Sequence, residues 1–205
     1  MTLNYKLSLK NTFLISSLTC FSFLLSACSE STDLGNSISE SAKEIRSEVA
    51  QESGIDLIPL DFFEWDLQMS NIGGQITVMD FWATWCIPCI DRFPAMVELS
   101  NHYPRDKVRF VSVNIDDFTD EDAYISALDF LTVVGADFEN YQLQQDMFDI
   151  FNFFGLQSIP AVTIYDTSGT EQVRLTGIEP RDLFTEEDIV AAIEDLLAQP
   201  LTSEI

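Results

Sequence analysis

The order of strand and helix patterns predicts a single α/β domain with a mixed sheet. Residues 75–82 (QITVMDFW) form an apolar run with β-branched residues, which is typical of a buried central strand. Residues 108–115 (VRFVSVNI) alternate as a second strand would, and the stretch 87–101 between them has a helical composition. Pro94 lies inside that helix and predicts a kink.

The remaining elements follow toward the C-terminus. Thr119 before acids signals the start of a helix that continues to Val134 with an apolar stripe. Met and Phe at helical spacing in 145–154 favour a core helix over a binding site. Two apolar runs then flank the hairpin turn 166–169, and Thr185 begins a last helix. The predicted order is β-α-β-α-(β)-α-β-β-α.

Charge excludes two classes of partner. The 205 residues include 34 acidic and 10 basic side chains, for a formal net charge of −24. A nucleic-acid-binding protein needs a basic surface, so we predict no nucleic-acid partner. Docking on anionic lipid through protein charge is disfavoured for the same reason. The hydrophobic content of 46 % is too high for a disordered acidic chain.

The N-terminal residues predict an export signal. Residues 1–10 carry two lysines and no acid, and residues 11–27 are uncharged, apolar and hydroxylic. Residues 25–28 (LSAC) resemble a bacterial lipobox, which implies cleavage before Cys28 and a lipid on its sulfur. An ordinary signal peptide and a retained membrane helix are the alternatives, although the apolar run is short for a membrane span.

A polar tether is predicted between the lipid and the domain. Residues 28–54 are rich in Ser and Glu, with a short amphipathic helix as a minor alternative. The predicted organisation is therefore a signal peptide at 1–27, a lipidated Cys28 with its tether at 28–54, and a domain at 55–205. The expected location is the bacterial cell envelope, facing the periplasm or the extracytoplasmic space. Ser29 resembles a signal for sorting to the outer membrane.

Cys86 and Cys89 are the cysteines left for chemistry once Cys20 and Cys28 are assigned to the signal and the lipid. At the N-terminus of a helix, free amide N–H groups and the helix dipole stabilise a Cys86 thiolate. Cys89 lies one turn on and can close a disulfide with it.

A structural disulfide and a zinc half-site are the alternatives for this pair. The short loop between the two cysteines gives a structural disulfide little entropic benefit. Zinc would need two more ligands, and the mature chain offers only His102 besides carboxylates. We predict no metal and no cofactor other than the redox-active disulfide.

Residues 81–89 (FWATWCIPC) with Pro94 resemble the thioredoxin family, and within it the membrane-tethered, exported reductases of the TlpA/ResA type. Further matching segments are 114–116 (NID), 158–161 (SIPA) and Gly177, so that the resemblance spans about 55–198. It implies a thioredoxin-like fold: a central mixed β-sheet flanked by helices, with a helix-containing insertion between Asp116 and Pro160.

The resemblance also implies roles for individual residues. Cys86 would be the attacking nucleophile and Cys89 the resolving thiol. Trp85 would pack beside them, and Ile159 would lend backbone hydrogen bonds to substrate. Pro160 matches a cis-proline that positions an extended substrate strand; an ordinary trans-proline is the alternative.

Asp80 matches the buried acid that exchanges a proton with the resolving cysteine, and burial should raise its pKa. A water-bonded structural aspartate is the alternative. Ser112 stands where thioredoxin has a lysine, so we expect this carboxyl to lack a cation and to be still harder to ionise. Residues 90–92 (IDR) replace the Arg and Glu usual in the tethered reductases, and no Glu follows Pro160.

The expected function is reduction of disulfides in exported proteins, with a membrane electron donor as the second partner and membrane attachment through the lipid. Thiol–disulfide exchange is reversible, so a disulfide oxidase or isomerase is one alternative. A non-catalytic, thioredoxin-fold binding or chaperone lipoprotein is the other.

Overall fold

The computed structural model describes residues 54–70, 72–177 and 184–199. The strands are β1 (Ile58–Leu60), β2 (Ile76–Trp82), β3 (Val108–Asn114), β4 (Glu139–Leu143), β5 (Ala161–Tyr165) and β6 (Glu171–Thr176). The helices are α1 (Phe62–Met69), α2 (Ile87–His102), α3 (Glu121–Val134), α4 (Met147–Phe154) and α5 (Glu186–Leu197).

The strands form one mixed sheet in the order β1-β4-β3-β2-β5-β6. β2 runs parallel to β3 and antiparallel to β5, and all seven of its residues are buried. A strand buried on both faces has no solvent side to show polar alternation, which explains the continuous apolar run in its sequence. The register sets Asp80 of β2 between Ser112 of β3 and Val162 of β5.

Two apolar clusters form the core, and α2 contributes to both. In the first cluster the Phe93 ring lies 5.0 Å from Trp82 and 5.2 Å from Phe130, measured between centroids. In the second, Met96 packs with residues of β2 and α5. Burial of each such large side chain stabilises the fold by about 1.5–3 kcal/mol, so α2 is fixed firmly against the sheet.

The structure adds one strand and one helix that the sequence patterns did not predict. β1 has three residues and includes Pro59, so it is too short to show a period, and its partner β4 is distant in sequence. α1 begins with a capping box between Asp61 and Glu64, but its apolar residues are not confined to one face.

Helix boundaries agree closely with the prediction, with one correction. Asp120 caps α3, so the helix begins after Thr119, whose hydroxyl instead donates to Asp117. The cap predicted at Thr185 is confirmed. Between Asp116 and Pro160 lie α3, β4 and α4, which confirms the helix-containing interval.

The predicted signal peptide, Cys28, Ser29 and residues 28–53 of the tether lie outside the described residues. Within the described ranges, no helix is both long and apolar enough to cross a membrane.

Candidate active site

Cys86 and Cys89 form a disulfide at the N-terminus of α2, with their Cα atoms 5.2 Å apart. Cys86 occupies the N-cap position, and its carbonyl accepts hydrogen bonds from the backbone N–H groups of Cys89 and Ile90 at 2.9 and 3.0 Å. Cys89 is fully buried, whereas Cys86 retains 6 % exposure. A substrate sulfur can therefore approach Cys86 more readily than Cys89.

Two exposed apolar side chains flank Cys86. Trp85 is 54 % exposed and Ile87 is 66 % exposed, although most large apolar residues of the domain are buried. Apolar surface beside a reactive sulfur favours contact with an apolar segment of another polypeptide. Packing of Trp85 against the cysteine pair stays a prediction.

Asp116 ties the loop before Cys86 to the end of β3, a role that no local sequence pattern indicates. The buried Asp116 carboxylate accepts hydrogen bonds from the Thr84 backbone N–H at 3.1 Å and from the Thr84 hydroxyl at 3.0 Å. Asn114 adds a third, from Nδ2 to Asp116 Oδ2 at 2.8 Å. The sequence shows only a polar NID segment directly after an apolar strand.

The peptide bond between Ile159 and Pro160 is cis, as the resemblance implied. Pro160 is buried, and Ile159 packs against the apolar cluster that contains both cysteines. The Pro160 carbonyl accepts a hydrogen bond from the Gly177 N–H at 3.4 Å. Both predicted substrate-binding residues of this segment therefore lie directly before β5, and Ile159 contacts the apolar cluster that contains the cysteines.

Asp80 lies buried in the centre of β2, and the expectation that it lacks a cation is wrong. Nη2 of Arg92 on α2 contacts Asp80 Oδ1 at 2.5 Å, and the two side chains are 11 % and 2 % exposed. The Ser112 hydroxyl donates instead to Asn140 Oδ1 at 2.8 Å. Burial raises the pKa of Asp80, and the Arg92 charge and hydrogen bond lower it without cancelling that effect.

Residues 73–171 match the family model described as thioredoxin-like. The domain has a thioredoxin-like fold. The chain is 26 % identical over 141 residues to the thiol-disulfide oxidoreductase ResA of Geobacillus kaustophilus, which covers 69 % of this chain and 74 % of that protein. It is 25 % identical over 131 residues to the thiol:disulfide interchange protein CycY of Rhizobium leguminosarum, covering 64 % and 65 % of the two chains.

A solved structure from Chlorobium tepidum, described as a DsbE-type thiol:disulfide interchange protein, superposes on the thioredoxin-like domain with a TM-score of 0.51. The two are 28 % identical, and the match covers 63 % of this chain and 84 % of that one. With the Cys86–Cys89 disulfide, these similarities identify the enzyme class as thiol–disulfide oxidoreductase.

A zinc site at the cysteine pair would need His102 as a further ligand. His102 is the last residue of α2 and therefore lies at the opposite end of that helix from Cys86. Across the described ranges, no three His, Cys, Asp or Glu side chains lie close enough together to hold a metal ion. The chemistry that this site offers is carried by its own cysteine pair.

Proposed function

We propose that this protein reduces disulfide bonds of exported proteins outside the cytoplasmic membrane, by thiol–disulfide exchange at Cys86 and Cys89. The observation that carries the proposal is the Cys86–Cys89 disulfide at the N-terminus of α2, with Cys86 the more exposed partner. The similarity to proteins named thiol-disulfide oxidoreductase and thiol:disulfide interchange protein supports the reaction class.

The cycle begins with both cysteines reduced. The Cys86 thiolate, stabilised by the N-terminus of α2, attacks a substrate disulfide and forms a mixed disulfide. Cys89 loses its proton and attacks the Cys86 sulfur, which releases the second substrate thiolate and closes the Cys86–Cys89 bond. The substrate gains two electrons and the protein loses two, so an external donor must reduce the pair again.

The reducing direction is supported by the residues between the cysteines. A very low Cys86 pKa stabilises the reduced form and makes a strong oxidant. Ile87 and Pro88 occupy the two intervening positions, so no histidine is present there to stabilise the thiolate further. A measured reduction potential near about −270 mV would support a reductase, whereas one near about −120 mV would favour the oxidase alternative.

An extracytoplasmic location and a lipid anchor on Cys28 complete the proposal. The signal-like residues 1–27 and the lipobox-like LSAC segment support them. A membrane protein would then be the electron donor, since NADPH-linked reductants do not reach that compartment. Labelled fatty acid should be incorporated into the wild-type chain and not into a Cys28→Ser variant, and equal labelling would contradict the anchor.

Insulin reduction by the full chain in detergent tests the activity. Cys86→Ser should abolish turnover, whereas Cys28→Ser, which replaces a cysteine outside the exchange reaction, should retain it. Cys89→Ala should hold substrates on Cys86 as mixed disulfides, which mass spectrometry would identify. If the wild type does not reduce insulin and the Cys89→Ala variant forms no such adducts, the non-catalytic binding alternative is supported.

A further inference from the structure

Arg92 stands in an unusual position for a charged residue. It lies three residues after Cys89 on α2, and its side chain is only 11 % exposed. Residues three apart on a helix share a face, with Cβ atoms about 5–6 Å apart. The guanidinium that contacts Asp80 is therefore carried within one helical turn of the resolving cysteine.

The contact between Arg92 and Asp80 leaves part of each group open. Arg92 Nη2 engages Asp80 Oδ1, whereas Asp80 Oδ2 has no hydrogen-bond partner among the described residues. Nε and Nη1 of Arg92 are likewise buried without a partner in that part of the chain. A single contact fixes the carboxylate while one of its oxygens stays available to accept a proton.

Among the residues that the structure describes, the strand neighbours of Asp80 carry no charge. Ser112 on β3 and Val162 on β5 are its register neighbours, and the Ser112 hydroxyl is committed to Asn140. The ring of Phe184, just before α5, covers the guanidinium of Arg92 at 4.8 Å. On α2, Arg92 contacts Asp80, and Cys89, whose thiol forms on reduction, lies on the same helical face as Arg92.

We propose that Arg92 is a positioning residue for the exchange reaction: it holds the Asp80 carboxylate as the proton acceptor for Cys89. This inference rests on the proposed function. In the resolving step the proton of Cys89 passes to Asp80 Oδ2 and the Cys89 sulfur bonds to Cys86. The bond from Cys86 to the substrate sulfur breaks, and the substrate leaves as a thiolate that is protonated by solvent.

Two opposing effects determine whether Asp80 can act in this way. Burial disfavours the charged carboxylate and raises its pKa, whereas the Arg92 charge and hydrogen bond lower it. Without Arg92 only the burial effect remains. The carboxyl would then stay protonated to higher pH, and a protonated carboxyl cannot take the proton of Cys89.

The test measures release of a fluorescent thiol from a peptide disulfide by the reduced full chain, in single turnover, as a function of pH. Arg92→Gln should slow release near neutral pH about tenfold or more, within the roughly 10²–10⁴-fold that general-base catalysis contributes. The acidic limb of the pH–rate profile should move to higher pH in Arg92→Gln. Arg92→Lys should restore most of the rate. Arg109→Gln, which removes another partly buried arginine that pairs with Glu139, is the matched control.

A double-mutant cycle separates positioning from general damage to the fold. In an Asp80→Asn background, Arg92→Gln should change the rate by less than about twofold, since the group that it positions is gone. A full effect in that background would overturn the proposal. So would an acidic limb in Arg92→Gln that matches the Arg109→Gln control. If the Arg92→Gln variant does not fold, Arg92→Lys provides the test. Its pH–rate profile must keep an acidic limb close to that of the wild type, and a displaced limb would overturn the proposal.

A second readout keeps this inference distinct from the proposed function. The carboxyl band of Asp80, assigned by infrared difference against Asp80→Asn, should titrate at higher pH in Arg92→Gln than in the wild type. An unshifted band overturns the proposal whatever the activity. A shifted band in a protein that releases no thiol would refute the proposed function and still support the coupling of Arg92 to Asp80.

Discussion

Replacement of Asp116 by alanine should destabilise the domain and slow the exchange reaction together. Asp116 is 1 % exposed and accepts from the Thr84 N–H, the Thr84 hydroxyl and Asn114 Nδ2. Each hydrogen bond to a charged acceptor contributes about 1.5–3 kcal/mol, and loss of the cost of burying the carboxylate offsets part of the sum. We expect the free energy of unfolding to fall by about 3–4 kcal/mol.

Urea unfolding of the oxidised chain measures this change. Asp137→Ala is the matched control, because Asp137 and its partner Arg105 are 76 % and 63 % exposed. Its effect should stay within about 0.5 kcal/mol. Because Asp116 holds the loop before Cys86, its loss should also slow single-turnover exchange by about tenfold or more. A loss of stability below about 1 kcal/mol, with an unchanged rate, would refute this account.

Three further outcomes follow from the structure. Burial raises the pKa of Asp80 in the folded protein above its ordinary value of 3.8. The contribution of Asp80 to stability is therefore fully present below pH 3.8 and is lost as the pH rises through the pKa of the folded state. Asp80→Asn should therefore gain stability relative to the wild type across that window in urea unfolding, and a constant difference would contradict the assignment. Thr185→Ala should cost about 1 kcal/mol in the same assay, because Thr185 caps α5 in a capping box, and a loss below about 0.3 kcal/mol would count against the cap. Burial and a hydrogen bond to Glu194 raise the pKa of Tyr103 to about 12, so its ultraviolet titration should begin at lower pH in Glu194→Gln than in the wild type.

Local patterns account for the elements that the sequence predicted. β2 is recognisable because burial on both faces makes its sequence continuously apolar, and the hairpin between β5 and β6 has its turn signal within the segment. α5 is recognisable from its cap. β1 carries no such local signal, because three residues cannot show a period and its pairing with β4 joins distant parts of the chain.

In the candidate active site too, local motifs could be predicted from the sequence, whereas contacts between distant residues could not. Cys86 and Cys89 could be recognised because their spacing is itself the chemical motif. The contact between Thr84 and Asp116 joins residues 32 positions apart, and that between Asp80 and Arg92 requires α2 to pack over β2. The sequence does place Arg92 on the helical face of Cys89. It does not show that this face meets the buried acid.

The cation that contacts Asp80 belongs to α2 and not to β3, and this changes how the carboxyl is connected to the cysteine pair. A cation at position 112 would be fixed to Asp80 by strand pairing, because β2 and β3 place these residues in register. Arg92 instead belongs to α2, the helix that carries both cysteines. Any shift of α2 when the disulfide opens would move the guanidinium relative to the carboxylate, and a position on β3 would not transmit that shift. If Arg92 positions Asp80 as proposed, such a shift would couple the redox state of the cysteine pair to the charge of Asp80.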